Sequence, residues 1–174
     1  MKNKNLKIKK SRRSFLKKTS TIAGGLIAAP LSLEGMANVY GNKKLKLSVI
    51  GCGGRGSGAV VQALTADENV ELVAMADAFK DRIDSSLKAI QEHFDGEKKI
   101  SVKEKNKLVG FDAYKKAIDL SDVVILTTPP GFRPYHFEYA IKNEKHVFME
   151  KPLATDPVGI RKVLEMAKIA KQKK

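Results

Sequence analysis

The sequence predicts an α/β fold in which helices cover both faces of a parallel, doubly wound sheet. Three observations predict it. Apolar runs of strand length alternate with segments of helical periodicity, a glycine-rich loop follows the first run, and polar residues follow several later runs. A chain of 174 residues, 43% of them hydrophobic, has room for about one such domain.

The first strand and its glycine loop are the most informative element. The pattern over 45–50 is alternating and then continuously apolar, which indicates a strand. Gly51, Gly53 and Gly56 follow in the order G-x-G-x-x-G, and residues from Ala59 onward are typical of the opening of a helix. The first glycine permits a tight turn, the second lets the backbone approach a pyrophosphate, and the third lets helix and strand pack closely.

Two further residues of the loop are candidate contacts for phosphate. Gly54 adds another position without a side chain, and the Arg55 guanidinium either touches a phosphate or faces solvent. Such a glycine pattern also occurs in plain turns, so its meaning depends on the strand that follows.

That strand, predicted over 70–76, ends at Asp77, which lies 21 residues after Gly56. A carboxylate at this distance accepts both hydroxyls of an adenosine ribose. The alternative is that Asp77 only caps a helix that runs from Asp81 onward. Strand, loop, helix, strand and acid in this order predict a dinucleotide site.

The same carboxylate indicates which dinucleotide is bound. Asp77 repels the 2′-phosphate of NADP and therefore favours NAD. Lys80 and Arg82 lie close enough in sequence to soften that repulsion, which keeps NADP as the less favoured alternative.

The rest of the chain continues the alternation of helices and strands. The predicted elements are a helix with an apolar stripe over 83–94, a lysine-rich loop over 96–107, a short strand over 108–111, a brief helix over 112–118, a buried strand over 122–128, a helix over 135–143, a strand over 146–149 and a final helix. Asp156 as N-cap and Pro157 at the first helical position begin that final helix.

Ligands of such sheets bind at the carboxyl ends of the strands. Thr128 and Pro129 close the fourth predicted strand, and Glu150, Lys151 and Pro152 follow the fifth. We therefore expect these residues to lie along the same edge of the sheet as the glycine loop.

Three motifs together carry a family resemblance: the glycine pattern, Thr128-Pro129 with His136 eight residues after Thr128, and the segment His-Val-Phe-Met-Glu-Lys-Pro-Leu over 146–153. This combination, from Lys43 to about Lys174, resembles the nucleotide-binding domain of the Gfo/Idh/MocA oxidoreductases. The resemblance implies a Rossmann-type fold.

The resemblance also implies roles for individual residues. Lys151 would approach the nicotinamide and the substrate hydroxyl as the catalytic acid/base, while Glu150 and Pro152 would fix its placement. His136 would lie near the cofactor, although a packing or capping histidine is an equal alternative. The implied reaction moves a hydride between the nicotinamide and a carbon that bears a sugar or polyol hydroxyl.

Members of this family carry a second α/β domain, which this sequence lacks, so we expect a fragment or a truncated product. Residues 38–174 are then expected to be an NAD(P)-binding Rossmann domain. The 174-residue chain alone is expected to bind the cofactor without turnover, and a homo-oligomer is expected only through the missing domain. Two alternatives to the dehydrogenase remain, a non-catalytic dinucleotide-binding module and an NAD-dependent glycosidase of the same superfamily. The Glu-Lys-Pro motif favours the dehydrogenase.

The N-terminus predicts export. Residues 1–37 carry nine basic residues and one acid of a chain whose net charge is +14. They contain an uncharged stretch over 19–33 and, ahead of it, a motif that resembles the twin-arginine signal, Ser11-Arg12-Arg13-Ser14-Phe15-Leu16-Lys17. We expect recognition by the twin-arginine export machinery, cleavage after Ala37 and a periplasmic product. The alternative is a disordered basic tail.

The remaining composition excludes several classes of site. The other excess lysines lie in the 98–107 stretch and at the C-terminus, as on a solvated surface, so no nucleic-acid partner is expected. Cys52, the single cysteine, is expected to be a packing residue rather than a redox centre. Three scattered histidines show no ligand spacing, so no metal is expected.

Overall fold

The computed structural model describes residues 44–94 and 99–173. The twin-arginine motif and the expected cleavage site after Ala37 lie outside these residues.

The described residues form a five-stranded sheet with the order β3-β2-β1-β4-β5, in which every neighbouring pair is parallel. The strands are β1 (Leu45–Ile50), β2 (Val70–Asp77), β3 (Lys107–Val109), β4 (Val123–Leu126) and β5 (His146–Met149). The chain moves outward from β1 to β3, returns to β4 beside β1 and continues to β5. The doubly wound, Rossmann-type α/β fold is therefore confirmed.

Five α-helices connect and flank these strands: α1 (Gly54–Ala66), α2 (Lys80–His93), α3 (Ala113–Asp119), α4 (Arg133–Lys142) and α5 (Pro157–Gln172). A short 3₁₀ helix, Glu104–Asn106, precedes β3 within the stretch predicted as a loop. No helix in this described part of the chain combines the length and the apolar composition needed to cross a membrane.

Element boundaries differ from the predicted ones at places that apolar periodicity does not mark. Helix α1 begins at Gly54 rather than Ala59, because the Ser57 N–H bonds to the Gly53 carbonyl and extends the helix through the glycine loop. Strand β3 stops at Val109 because Gly110 turns the chain with a φ of +115°. The predicted cap of α5 is confirmed, since the Asp156 carboxylate accepts the Gly159 N–H at 2.7 Å.

The core consists of two apolar layers, one on each face of the sheet. On one face, α1 and α2 pack on β1 and β2 through residues such as Val60, Ile83 and Leu47. On the other face, α3 and α4 supply Ile118 and Ala140 against the opposite side of the strands. Burial of each large aliphatic side chain contributes about 1.5–3 kcal/mol. These layers hold the carboxyl ends of the strands in fixed positions.

Candidate functional site

A cavity of about 370 Å³ opens at the carboxyl ends of β1, β2 and β4. This is the edge where ligands of doubly wound sheets bind. Its wall combines residues of the strand ends with aromatic side chains and includes Gly51, Gly53, Asp77, Phe79, Arg82, Phe111, Tyr114, Thr127, Thr128, Pro129, Phe132 and His136.

Two glycines of the loop are required by close contacts. Gly51 has a φ of +97°, and a Cβ there would lie 2.5 Å from the Thr128 backbone nitrogen. A Cβ at Gly56 would collide with the Gly51 carbonyl oxygen and would lie 2.9 Å from Thr127 Oγ1. Thr127 Oγ1 also donates to the Gly51 carbonyl at 2.7 Å. The first and third glycines thus let the loop, α1 and the end of β4 pack together.

The middle of the loop leaves room for a ligand. Gly53 is the N-cap of α1, and among the described residues no side chain caps this helix and no acid occupies its first turn. A Cβ at Gly53 or Gly54 would meet no described atom within 4 Å. Unpaired N–H groups and the positive end of the helix dipole at such an opening suit a phosphate. The loop therefore fits the pyrophosphate of a dinucleotide.

Asp77 holds its carboxylate at the same cavity. Its Oδ2 accepts the Cys52 N–H at 2.7 Å, and its Oδ1 accepts the Phe79 N–H at 3.1 Å. Phe79, and not Asp77, is the N-cap residue of α2, although the Asp77 carboxylate bonds the backbone N–H of that residue. The carboxylate is fixed by two backbone donors and still reaches the cavity.

The two cations near Asp77 differ in placement. Lys80 Nζ bonds Asp84 at 2.6 Å on the surface of α2, whereas Arg82 lines the cavity. Arg82 is thus the cation of the pair that shares the cavity with Asp77.

Cys52 is buried beneath the loop. Its Sγ donates to the Ala76 carbonyl at 3.5 Å. Burial, followed by the charge of Asp77, raises the pKa of the Cys52 thiol to about 12. A neutral, buried thiol agrees with the packing interpretation. Within residues 44–94 and 99–173, no group of three or more His, Cys, Asp or Glu side chains is arranged to bind a metal.

His136 lies in the cavity wall on α4. Its ring stacks on Tyr114 with centroids 4.2 Å apart, and its Nδ1 lies 3.3 Å from Thr128 Oγ1. Burial lowers the pKa of His136 to about 4, so the ring is neutral at pH 7. The structure thus brings His136 together with Thr128 and Pro129, as the motif predicts.

Glu150, Lys151 and Pro152 follow β5, and in the structure as described they are not part of the cavity wall. The Glu150 carboxylate binds Arg55, with Arg55 Nε 2.8 Å and Nη2 2.6 Å from Oε1. The hydrogen bond from Arg55 lowers the pKa of Glu150. Lys151 is exposed. Of the predicted site residues, Gly51, Gly53, Asp77, Thr128, Pro129 and His136 line one cavity, whereas Gly54, Arg55, Gly56, Glu150, Lys151 and Pro152 are not part of its lining.

Sequence reasoning missed one buried cation. Arg133, only 6% exposed, donates from Nε to the Thr128 carbonyl and from Nη1 to the carbonyls of Glu150 and Pro152. Burial lowers the pKa of its guanidinium, and the Glu150 charge opposes that change. An arginine near the start of a helix gives no hint of these partners, because all three are backbone atoms.

An aromatic rim was also missed. Phe79, Phe111 and Phe132 line the cavity although each is at least 42% exposed. The rings of Phe111 and Phe132 stack with centroids 5.9 Å apart. The three phenylalanines are exposed and lie in separate loops, so only the folded sheet shows that they line the same cavity.

Comparisons with known proteins agree with this architecture. The 3-ketoreductase from Actinomadura kijaniata in complex with NADP and TDP-benzene is 26% identical with a TM-score of 0.51, and the match covers 75% of this chain and 35% of that one. The myo-inositol dehydrogenase from Lactobacillus casei in complex with NAD(H) and myo-inositol shares the fold at 21% identity, with a TM-score of 0.55 and coverage of 71% and 33%.

A curated relative gives a third comparison. A glycosyl hydrolase family 109 protein from Solibacter usitatus (strain Ellin6076) is 31% identical over 150 residues, which are 84% of this chain and 34% of that protein. The chain therefore spans about a third of the length of these relatives. The family model described as "Oxidoreductase family, NAD-binding Rossmann fold" matches residues 45–173. Since that match covers most of the sequence, the chain belongs to the Gfo/Idh/MocA oxidoreductase family and contains its NAD-binding Rossmann fold.

Proposed function

We propose that this chain binds a nicotinamide dinucleotide and serves hydride transfer between that cofactor and a carbon bearing a sugar or polyol hydroxyl. The observation that carries the proposal is that the open N-terminus of α1 and the Asp77 carboxylate share one cavity. A phosphate acceptor and a ribose acceptor placed this way are the recognition elements of a dinucleotide.

In this proposal Asp77 accepts the ribose hydroxyls and favours NAD. Its carboxylate is held by the Cys52 and Phe79 N–H groups, so it cannot rotate away from a 2′-phosphate without losing both bonds. Arg82 in the cavity wall provides the opposing attraction. Similar structures contain NAD(H) in one case and NADP in another, which is consistent with a choice made by local side chains.

We propose Lys151 as the catalytic acid/base. The bound nicotinamide would supply the hydride acceptor or donor. The Lys151 amine would take up the hydroxyl proton when an alcohol is oxidised and return it when a carbonyl is reduced. The neutral His136 ring and Thr128 would form the cavity wall that adjoins this position.

A glycosidase is the second candidate, and the 31% identity to a glycosyl hydrolase family 109 protein favours it. Stoichiometry separates the two functions. A dehydrogenase forms one NADH for each polyol oxidised, whereas a glycosidase that regenerates its NAD releases nitrophenol from a nitrophenyl glycoside without net NADH. Retention of Glu150-Lys151-Pro152 supports the dehydrogenase.

We also propose that the protein is exported by the twin-arginine route to the periplasm. The support is the motif over 11–17 and the uncharged stretch that follows it.

The glycine loop offers a sharp test of cofactor binding. Gly53→Ala places a methyl group where no described atom lies within 4 Å, so the protein tolerates it while the phosphate loses its space. We expect NADH affinity, measured by fluorescence titration, to fall about tenfold or more, a cost of about 1.4 kcal/mol.

Gly58→Ala is the matched control, because a Cβ at Gly58 also meets nothing within 4 Å of it among the described atoms, yet Gly58 lies outside the cavity wall. It should leave the affinity unchanged. Equal NADH affinity in both variants, or no NADH binding by the unmodified chain, would contradict the proposal that the glycine loop binds a dinucleotide.

A further inference from the structure

Arg133 joins two strand ends that are separate in the chain. Its guanidinium is buried, and it donates to the Thr128 carbonyl at 2.7 Å, after β4. It also donates to the Glu150 carbonyl at 2.7 Å and the Pro152 carbonyl at 2.5 Å, both after β5. One side chain therefore holds the ends of β4 and β5 together.

The bonds to the second strand end lie on either side of Lys151. Nη1 of Arg133 bonds the carbonyls of Glu150 and Pro152, so the backbone that carries Lys151 is fixed from both directions. Hydrogen bonds from a charged donor are stronger than neutral ones, and the planar guanidinium supplies donors in a rigid fork that a lysine ammonium lacks.

A second restraint acts on the same segment. The Glu150 carboxylate binds Arg55 at the N-terminus of α1, 95 residues away in sequence. The segment with Lys151 is thus attached to the glycine loop through its side chain and to the loop after β4 through its backbone.

The strand order indicates which part of a dinucleotide this segment would meet. Asp77 ends β2, on one side of β1, whereas Lys151 follows β5, on the other side. With adenosine ribose at Asp77 and pyrophosphate at the end of β1, the nicotinamide half extends toward the ends of β4 and β5.

We propose that Arg133 is a positioning residue that holds the Lys151 segment against the nicotinamide end of the bound dinucleotide. This inference rests on the proposed function, because it requires a bound dinucleotide. Arg133 itself touches backbone carbonyls and acts on the cofactor through Lys151.

Three variants test it. Arg133→Lys keeps the charge but loses the fork, and Arg133→Met removes both the charge and the donors. Arg161→Met is the control, because Arg161 is an exposed arginine on α5. Thermal melting first shows whether each variant is folded.

The first measurement is hydrogen exchange without cofactor. We expect faster exchange in both 127–133 and 149–155 for Arg133→Lys and Arg133→Met, because both strand ends lose their common donor. Exchange in the glycine loop and in the control variant should remain unchanged. Unchanged exchange in both strand ends would contradict the inference that Arg133 holds them together.

The second measurement is peptide-resolved acetylation of lysines by acetic anhydride, with and without saturating NADH. At about 20 times the Kd, NADH occupies about 95% of the sites, so a covered amine can be protected up to about 20-fold. We expect at least about fivefold protection of Lys151 in the unmodified chain and less than about twofold in both Arg133 variants. Lys168, exposed on α5, reports the general labelling rate.

The outcomes separate this inference from the proposed function. Failure of the unmodified chain to bind NADH overturns the proposed function and this inference with it. Binding with no protection of Lys151, or with equal protection in all variants, overturns the positioning role only. A loss of NADH affinity greater than about tenfold in Arg133→Lys would show that Arg133 contributes to cofactor binding itself. That result would also overturn the positioning role. If both Arg133 variants melt below the assay temperature, the residue is structural and the inference fails.

Discussion

The Glu150 carboxylate and the Arg55 guanidinium, 95 residues apart in sequence, are joined by contacts of 2.8 and 2.6 Å that connect the end of β5 to the first turn of α1. Arg55 lies where a phosphate is expected, and its charge is directed to the residue that precedes Lys151. The ion pair thus links the proposed phosphate site to the proposed catalytic segment.

The stability supplied by this pair should depend on pH. The Arg55 hydrogen bond lowers the pKa of Glu150 below its ordinary 4.5, so the folded chain binds the proton less tightly than the unfolded chain. The contribution is therefore present above pH 4.5 and is lost as the pH falls through the lower, folded value. We expect Glu150→Gln to lower the melting temperature at pH 7 and to have a shrinking effect below pH 4.5.

Glu68→Gln is the control for that measurement, because Glu68 is exposed near the end of α1. A difference between unmodified chain and Glu150→Gln that is the same at pH 3 and pH 7 would contradict the role of the charge.

Asp77→Asn tests cofactor selectivity. The amide keeps one oxygen that can accept the Cys52 N–H, but it loses the acceptor of the Phe79 N–H and the negative charge, so thermal melting must first show that the variant is folded. We expect the unmodified chain to prefer NADH over NADPH and the variant to lose about ten- to hundredfold in NADH affinity, the range for a hydrogen bond to a charged group. NADPH should bind at least as well as before, helped by Arg82.

Fluorescence titration with both cofactors provides the measurement, and Asp81→Asn is the matched control because Asp81 is exposed in the first turn of α2. Equal affinities for NADH and NADPH in the unmodified chain would refute the preference for NAD.

The sequence was sufficient for the parts of the site that are encoded locally. The first strand, the turn at the glycines and the position of Asp77 at the end of β2 were predictable because each depends on residues within about one βαβ unit. Arg133 was not predictable, because its acceptors are backbone carbonyls up to 19 residues away that any residue type would supply. The partner of Arg55 was missed for a related reason, since the choice between phosphate, solvent and Glu150 depends on where β5 lies in the sheet.

His136 should give a distinct pH signature. Burial lowers its pKa from 6.5 to about 4, so between these values the unfolded chain binds a proton that the folded chain does not. Stability therefore rises with pH across this interval, by at most about 1.4 kcal/mol per pH unit from one such group. We expect His136→Gln to show a smaller slope of the unfolding free energy between pH 4 and 6.5.

Denaturant unfolding at a series of pH values measures this slope, and NMR titration of the three histidines measures the His136 midpoint directly. His146→Gln, a change at an exposed histidine on β5, is the control. A His136 midpoint near 6.5 would contradict the buried, neutral ring.

Export is tested at residues outside the described structure. Replacement of both Arg12 and Arg13 by lysine preserves charge and removes the paired arginines that the export receptor reads. We expect the protein to remain in the cytoplasm on cell fractionation, while Lys2→Arg with Lys4→Arg, which leaves the motif intact, still reaches the periplasm. Periplasmic recovery of the Arg12→Lys, Arg13→Lys variant would show that the motif is not a twin-arginine signal.

Lys151→Ala separates catalysis from binding. The Lys151 side chain is exposed and is not part of the cavity lining, and the open N-terminus of α1 does not depend on it, so NADH affinity should change little. In a protein that also carries a substrate domain, we expect the rate of polyol oxidation, followed by NADH absorbance, to fall about 10²-fold or more, the usual effect of removing a positioned acid/base. Lys168→Ala removes an exposed lysine from α5 and should leave the rate unchanged.

Because a residue that serves only binding would raise KM with little change in kcat, a fall in kcat at unchanged NADH affinity is the result that assigns the proton transfer to Lys151. Full activity of Lys151→Ala would instead remove Lys151 from the proton transfer and assign that step to another residue of the dehydrogenase.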